Sequence, residues 1–248
     1  DTSNRVRAKE RAFVQDCQRR FGPAHAGKLP KCTELWVQEL KVICPAFIAV
    51  QEGVSNIDLI TSRENLSEYT AFTKKVGNIQ LHLLVHKLIS DQYRSSNRVY
   101  SNTWEENNHG RPIQIIWNSN GHYVVNCQAP HGLGRSQMEH SITEALKQQA
   151  TSHPIRRVTV MGDFNDRGIA LASRKAGETS LGLRLAFSNF LVARTNNMVA
   201  TCCWPKFALK GDYIMDTEYA SHLQALENKN GPSSDHMGVI AHIPSVGS

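Results

Sequence analysis

The spacing of apolar and polar positions changes several times along the chain, and each change predicts a new element. Over residues 5 to 20, Val6, Ala8, Ala12, Phe13 and Cys17 recur among Arg, Lys, Glu and Gln at a helical spacing. Gly22-Pro23 and the segment from Gly27 to Pro30 break that pattern. Leu35, Trp36, Leu40 and Ile43 then predict a second helix, leading into a strand at Ala46 to Val50 that exits at Gln51-Glu52-Gly53. Residues 56 to 75 are polar and mixed, and read as irregular or helical. Ile79, Leu81 and Leu83 alternate with Gln80, His82 and Leu84 up to Val85, which predicts a strand. Residues 91 to 112, rich in Ser, Asn, Gly and Pro, read as loop around a short strand at Val99-Tyr100. Ile113 to Trp117 and His122 to Cys127, joined by Asn118-Ser-Asn-Gly121, form a hairpin pattern.

Ser136 and Glu139 have capping-box spacing, and Met138, Ile142, Ala145 and Leu146 continue on one face to about Ala150. Pro154 separates this helix from Val158-Thr-Val-Met-Gly-Asp-Phe-Asn-Asp166, an apolar β-branched run suited to a strand covered on both faces. Gly162 there reads as a sharp turn that lets Asp163, Asn165 and Asp166 emerge together. Residues 167 to 182 read as loop and short helix, and Leu183 to Val192 as a segment with one face on the core. Lys210-Gly-Asp212-Tyr-Ile-Met215 and Met237 to Ile243 complete the set as strands. Helices interleaved with strands that have polar exits make an α/β layered arrangement, and residues 1–248 are expected to form one domain.

Composition narrows the class. Hydrophobic residues at 40% and charged residues at 20% describe a globular chain, and no apolar run approaches the length that spans a bilayer. Lys and Arg outnumber Asp and Glu by 28 to 22, a net charge of +6 that favours a polyanionic partner such as nucleic acid. Cys17, Cys32, Cys44, Cys127, Cys202 and Cys203 include no CxxC pair, which argues against a zinc or redox motif. Reduced, intracellular thiols are the simplest reading, with Cys17 and Cys32 pairing in a secreted protein as the alternative. Arg94, Arg98, Tyr100, Trp104 and Arg111 interleave basic and aromatic side chains, a mix that grips phosphates and stacks bases but is also common in solvated loops.

The chemistry concentrates where apolar runs end. Glu52, Asp163 with Asn165, Asp212, and Asp235 with His236 all follow or begin apolar strand patterns. One such exit is ordinary turn chemistry. Four are better explained by strand ends converging on a shared rim. Hard oxygen ligands there suit a divalent cation, carboxylates orient water, and an imidazole handles protons. His82 and His86 would share a strand face without the geometry of a zinc helix, and read as structural.

Gln51-Glu52, Gly162-Asp-Phe-Asn165, Gly211-Asp212-Tyr-Ile and Ser234-Asp235-His236, in this order, resemble the endonuclease/exonuclease/phosphatase superfamily with its deoxyribonuclease-I-like fold. The resemblance runs from about residue 46 to the C-terminus. It implies a four-layer α/β/β/α sandwich of two mainly antiparallel sheets flanked by helices, and hydrolysis of phosphoric esters with Mg2+ or Mn2+. It further implies that Glu52 and Asp235 bind the metal, Asp163 activates water, Asn165 steadies the phosphate, and His236 pairs with Asp212. An Asp on the far nitrogen of a His fixes its tautomer and raises its basicity. Asn196 or Asn197 matches a phosphate-contacting asparagine loosely.

Two departures bear on activity. The family carries a metal-binding Asn at the end of a first core strand, whereas this chain begins Asp1-Thr-Ser-Asn4; either Asn4 is that ligand, or the strand and ligand precede Asp1. The segment Asn126 to His131 matches a strand where many members carry His or Tyr, and here that position is Gln128; Asn126 and Gln128 are the phosphate contacts this match implies. A glutamine donates to phosphate but exchanges no proton near neutral pH. His131 either compensates or closes a Pro-containing turn. The leading expectation is a metal-dependent phosphodiesterase, a nuclease acting on nucleic acid. The alternatives are a phosphatase or phosphodiesterase for inositol phosphates, phospholipids or small nucleotides, and an impaired member serving as a nucleic-acid or protein-binding module.

Overall fold

The computed structural model describes residues 15, 17–23, 25, 27–51, 57–76, 79–96, 100–101, 112–129, 134–163, 193–195, 212–217, 221–225 and 239–243. Its elements in chain order are α1 (Lys31–Ile43), β1 (Phe47–Val50), α2 (Ile57–Ile60), β2 (Tyr69–Val76), β3 (Ile79–His86), α3 (Lys87–Ser90), β4 (Tyr93–Ser95) and β5 (Tyr100–Ser101), then β6 (Pro112–Asn118), β7 (His122–Gln128), α4 (Gly134–Ala150), β8 (Arg157–Asp163), β9 (Ala193–Thr195), β10 (Asp212–Asp216), β11 (Ser221–Ala225) and β12 (Val239–His242).

One sheet has the order β1-β3-β2 and a second the order β10-β8-β7-β6-β4, with β5 also paired to β6. β12-β11-β9 form a further set that touches β10. Pairing is antiparallel except between β7 and β8 and between β9 and β11. Side-chain alternation then builds the layers. Val37 and Leu40 of α1 pack with Ile48, Tyr69 and Leu84 on the outer face of the first sheet. Leu83, Val85, Ile116, Val124 and Met161 fill the space between the sheets, with Phe47, Ala49 and Phe72 against them. Ile113, Ile115, Val125, Val158 and Val160 turn the other way, onto Ile142, Ala145 and Leu146 of α4. This is the α/β/β/α sandwich.

Several local expectations change. β2 begins at Tyr69, inside the stretch read as irregular or helical; its threonines, aromatics and lysines alternate weakly because it is an edge strand half open to solvent. Gly162 is not a turn. β8 continues through Asp163, and a side chain on Gly162 would overlap the Cys127 carbonyl, so the glycine is required by the close approach of β7. Residues 15 and 17–21 are helical, and the remainder of the first predicted helix lies outside the described residues, as do 167–182 and Leu183 to Val192. Cys17 and Cys32 form a disulfide with Cα atoms 5.9 Å apart, which replaces the reading of wholly reduced thiols; Cys44 and Cys127 are free. His82 and His86 are structural as read: His82 is buried and bonded to Thr73 at 3.0 Å, and His86 Nδ1 accepts from the Leu88 amide.

Where β7 and β8 begin and β10 ends, the layer between the sheets closes in a polar chain. Asp216, 0% exposed, accepts from Arg157 Nε at 2.9 Å and from Thr159 Oγ1 at 2.6 Å. Thr159 has one hydroxyl proton and gives it to Asp216, so His122 Nε2–H donates to Thr159 across 2.9 Å. His122 Nδ1 is then left to accept from the Tyr93 hydroxyl, also at 2.9 Å. Burial and then the Arg157 charge push His122 down to about 4, against the opposing pull of Asp216. Burial pushes Tyr93 up to about 12. Both groups are neutral at pH 7, and every proton in the chain has one direction.

Candidate functional site

The opposite ends of the same strands hold the residues that sequence reasoning favoured. Because β7 and β8 run parallel, Gln128 and Asp163 reach the rim together as register partners; β10 starts there in the antiparallel sense, with Asp212 opposite Asp163. Strand alternation puts all three on the face that looks toward the first sheet, and all three are buried. Two carboxylates and an amide thus form one row across three adjacent strands. Ala129 N–H donates to the Asp163 carbonyl at 2.7 Å and extends the β7–β8 pairing by one residue. Burial, and secondarily the Asp163 charge, raises the Cys127 thiol well above its ordinary range. Cys127 is therefore an inert packing thiol.

Asn126, expected to contact phosphate, instead ties the two sheets together. It is 0% exposed; its carbonyl oxygen accepts from Gln51 Nε2 at 2.6 Å, and its amide faces the His82 carbonyl at 2.9 Å, Gln114 Oε1 at 3.2 Å and the Val50 carbonyl at 3.3 Å. Gln114 Nε2 donates on to the Phe72 carbonyl at 2.6 Å. Sequence reasoning missed Gln114 and this use of Gln51. The available signal was a lone amide inside Ile113-Gln-Ile-Ile, directly across the hairpin from Asn126. A buried amide in an apolar run needs partners, and here another buried amide supplies one.

The described residues of the rim do not make up the metal site that the resemblance implied. Among the described residues, no group of three or more His, Cys, Asp or Glu side chains could hold a metal ion. Next to Asp163 and Asp212 stand amides, and Asn126 is committed to the protein. The expectation of a Mg2+- or Mn2+-dependent phosphodiesterase, nuclease or other metal-dependent hydrolase is corrected accordingly. Glu52, Asp235 and Asn4, the expected ligands, lie outside the described residues, as do Asn165, His236, His131, Asn196 and Asn197. The structure brings together Asp163, Asp212, Gln128 and Asn126.

No protein-family model matches the chain, and no curated protein matches it. Solved structures do. A Bacteroides vulgatus endonuclease/exonuclease/phosphatase superposes with a TM-score of 0.60 at 17% identity, over 84% of this chain and 88% of that one. Truncated Caenorhabditis elegans TDP2 gives 0.58 at 15% identity, over 84% and 88%. D. rerio TDP2 complexed with a single-strand DNA product gives 0.58 at 14% identity, over 85% and 90%. The chain has the fold of the endonuclease/exonuclease/phosphatase superfamily. At these identities the superfamily fold carries over without the site residues, and the rim has to be read from its own side chains. No helix among the described residues is long and apolar enough to cross a membrane.

Proposed function

We propose that this chain is a catalytically impaired endonuclease/exonuclease/phosphatase-fold protein that binds nucleic acid. The observation that carries the reading is Gln128. It stands in register beside Asp163 and Asp212, in the row where proton transfer would be needed, and it carries no proton that exchanges near neutral pH. A glutamine there suits binding rather than turnover, since an amide donates to phosphate oxygens without changing its charge. The net charge of +6 complements a polyanion, and one structural relative was solved with a single-strand DNA product.

Fluorescence anisotropy with labelled single-stranded and duplex DNA and RNA, run with magnesium and with chelator, tests this. Binding that weakens with salt, ignores chelator and leaves the oligonucleotide intact is the expected result. Magnesium-dependent cleavage of any of these substrates, or absence of binding at low salt, would overturn it. Gln128→His adds a second readout: binding persists, and no cleavage appears.

A further inference from the structure

The stretch between the two disulfide cysteines is basic. From Cys17 to Cys32 the chain carries Arg19, Arg20, His25, Lys28 and Lys31, and no aspartate or glutamate. The disulfide closes this stretch into a loop, with Cys17 1% and Cys32 0% exposed. Further contacts set its shape. The Cys32 amide donates to Cys17 Sγ at 3.2 Å, the Gly22 amide to the Gln18 carbonyl at 2.8 Å, and the Lys28 amide to the His25 carbonyl at 3.0 Å. Gly22 and Gly27 make the turns in the left-handed region, at φ 84° and 77°. Leu29 then anchors the end of the loop in the core beside Val37 and Leu40. α1 turns back along β1 after Cys44 to Ala46, so its first turn, with Lys31 and Cys32, lies on the rim side of the first sheet.

The cations of the loop divide into two kinds. Arg20 stacks over the Phe21 ring at 5.3 Å and faces Cys32 Sγ across 3.9 Å, and Arg19 is engaged within the protein as well. Both arginines serve the fold. His25 and Lys28 are exposed. Lys31 bridges to Glu34 at 2.9 Å with the two side chains 47% and 40% exposed, a surface pair that holds its partners weakly and yields to a phosphate.

Building on the nucleic-acid-binding reading, we propose that the loop closed by the Cys17–Cys32 disulfide contacts the phosphate backbone through Lys28 and Lys31, and that the disulfide strengthens this contact by fixing the loop. A phosphate approaching the loop meets ammonium groups and no carboxylate of the loop itself, and each contact releases counterions from the nucleic acid. A closed loop has already lost the freedom that an open one would lose on binding. The charges therefore set the salt dependence, and the disulfide sets the affinity at a given salt.

The test is a salt titration of binding to labelled oligo(dT) for the wild type, Lys28→Gln/Lys31→Gln, Lys28→Arg/Lys31→Arg, and a control, Lys87→Gln/Lys147→Gln. The control removes the same charge, and its Lys147 sits in an exposed pair with Glu144 that matches the Lys31 pair, on the opposite outer layer. Two lost phosphate contacts lower the slope of log K against log salt by about 1.4 on a single strand, so over a tenfold fall in salt the wild type gains about 25-fold more than the glutamine variant. The arginine variant and the control keep the wild-type slope. An unchanged slope in the glutamine variant, or an equal loss in the control, overturns the placement while the binding reading stands; no binding by the wild type overturns both. The disulfide is tested by repeating the wild-type titration with a water-soluble phosphine, which takes the disulfide to two thiols and becomes the phosphine oxide with oxygen from water. Affinity then falls several-fold at fixed salt with the slope retained, and Cys17→Ser/Cys32→Ser matches the reduced wild type with or without the phosphine. Unchanged affinity alongside a measured rise in free thiols overturns the role of the disulfide. Thermal melts establish that each form is folded at the temperature of the titration, and the lysine variants, which keep the disulfide, decide the contact by themselves.

Discussion

β7, β8 and β10 end in polar clusters on both sides of the same apolar layer, and the two clusters are built on opposite plans. Where β7 and β8 begin, Arg157 faces Asp216, and a threonine, a histidine and a tyrosine complete a chain in which charges and protons match. At the rim, Asp163 faces Asp212 and the neighbours are amides. The Arg157–Asp216 contact neutralises its own charge, whereas the rim sets two carboxylates directly opposite each other in register. The first cluster closes its end of the layer with matched charges; the second gathers like-charged groups where three strands meet.

The largest expected effect comes from unpairing the first cluster. Asp216→Ala leaves the Arg157 guanidinium buried and the Thr159 proton without its acceptor, and should cost about 3–5 kcal/mol, read as a lowered urea midpoint. The double variant Arg157→Met/Asp216→Leu should recover most of that loss, because the penalty lies in the stranded charge rather than in the value of the pair. If the single variant loses less than the double, the ion pair is not the element that closes this end.

Acid should find the same cluster next. His122 titrates at about 4 in the folded protein, below its ordinary 6.5, so between those values the unfolded chain holds a proton that the folded one does not. Stability is therefore full above pH 6.5 and falls as pH drops toward 4, by on the order of 3 kcal/mol at 1.36 kcal/mol per unit. The groups around the imidazole explain the sign. Tyr93 donates to Nδ1, Thr159 accepts at Nε2, the Phe47 ring packs edge-on, and Arg157 lies close enough to repel an imidazolium more than Asp216 draws it. His122→Gln should flatten this part of the stability profile relative to wild type in denaturation curves taken from pH 7 to 4.

These two ends were not equally legible. Hydrophobic alternation reads out β1, β3, the β6–β7 hairpin, α4 and β8 from sequence, because each buries a regular face. It misses β2, whose edge position leaves most of its side chains only partly buried. Asp163 and Asp212 were visible because a carboxylate at the end of an apolar strand is chemically conspicuous. Their adjacency was not, since register is a tertiary property. Asn126 was expected at phosphate because the segment from Asn126 to His131 matches a family strand; only the first sheet, contributing the Val50 and His82 carbonyls, shows where its amide goes. The Arg157–Asp216 cluster left no local trace, its members being scattered from Tyr93 to Asp216 among unremarkable polar positions.

The smallest expected effect decides how far the contrast holds. Asp163→Asn keeps the side-chain shape and removes one of two like charges in register; the cross-strand charge effect alone is worth about 0.5 kcal/mol, so a loss of stability larger than that, read as a lowered urea midpoint, would show the carboxylate bonded within the protein. Its effect on binding reads where the nucleic-acid backbone runs. An oligo(dT) affinity that rises in the variant, by several-fold or more, places phosphates over Asp163 and Asp212; an affinity unchanged within about twofold places the backbone elsewhere on the surface.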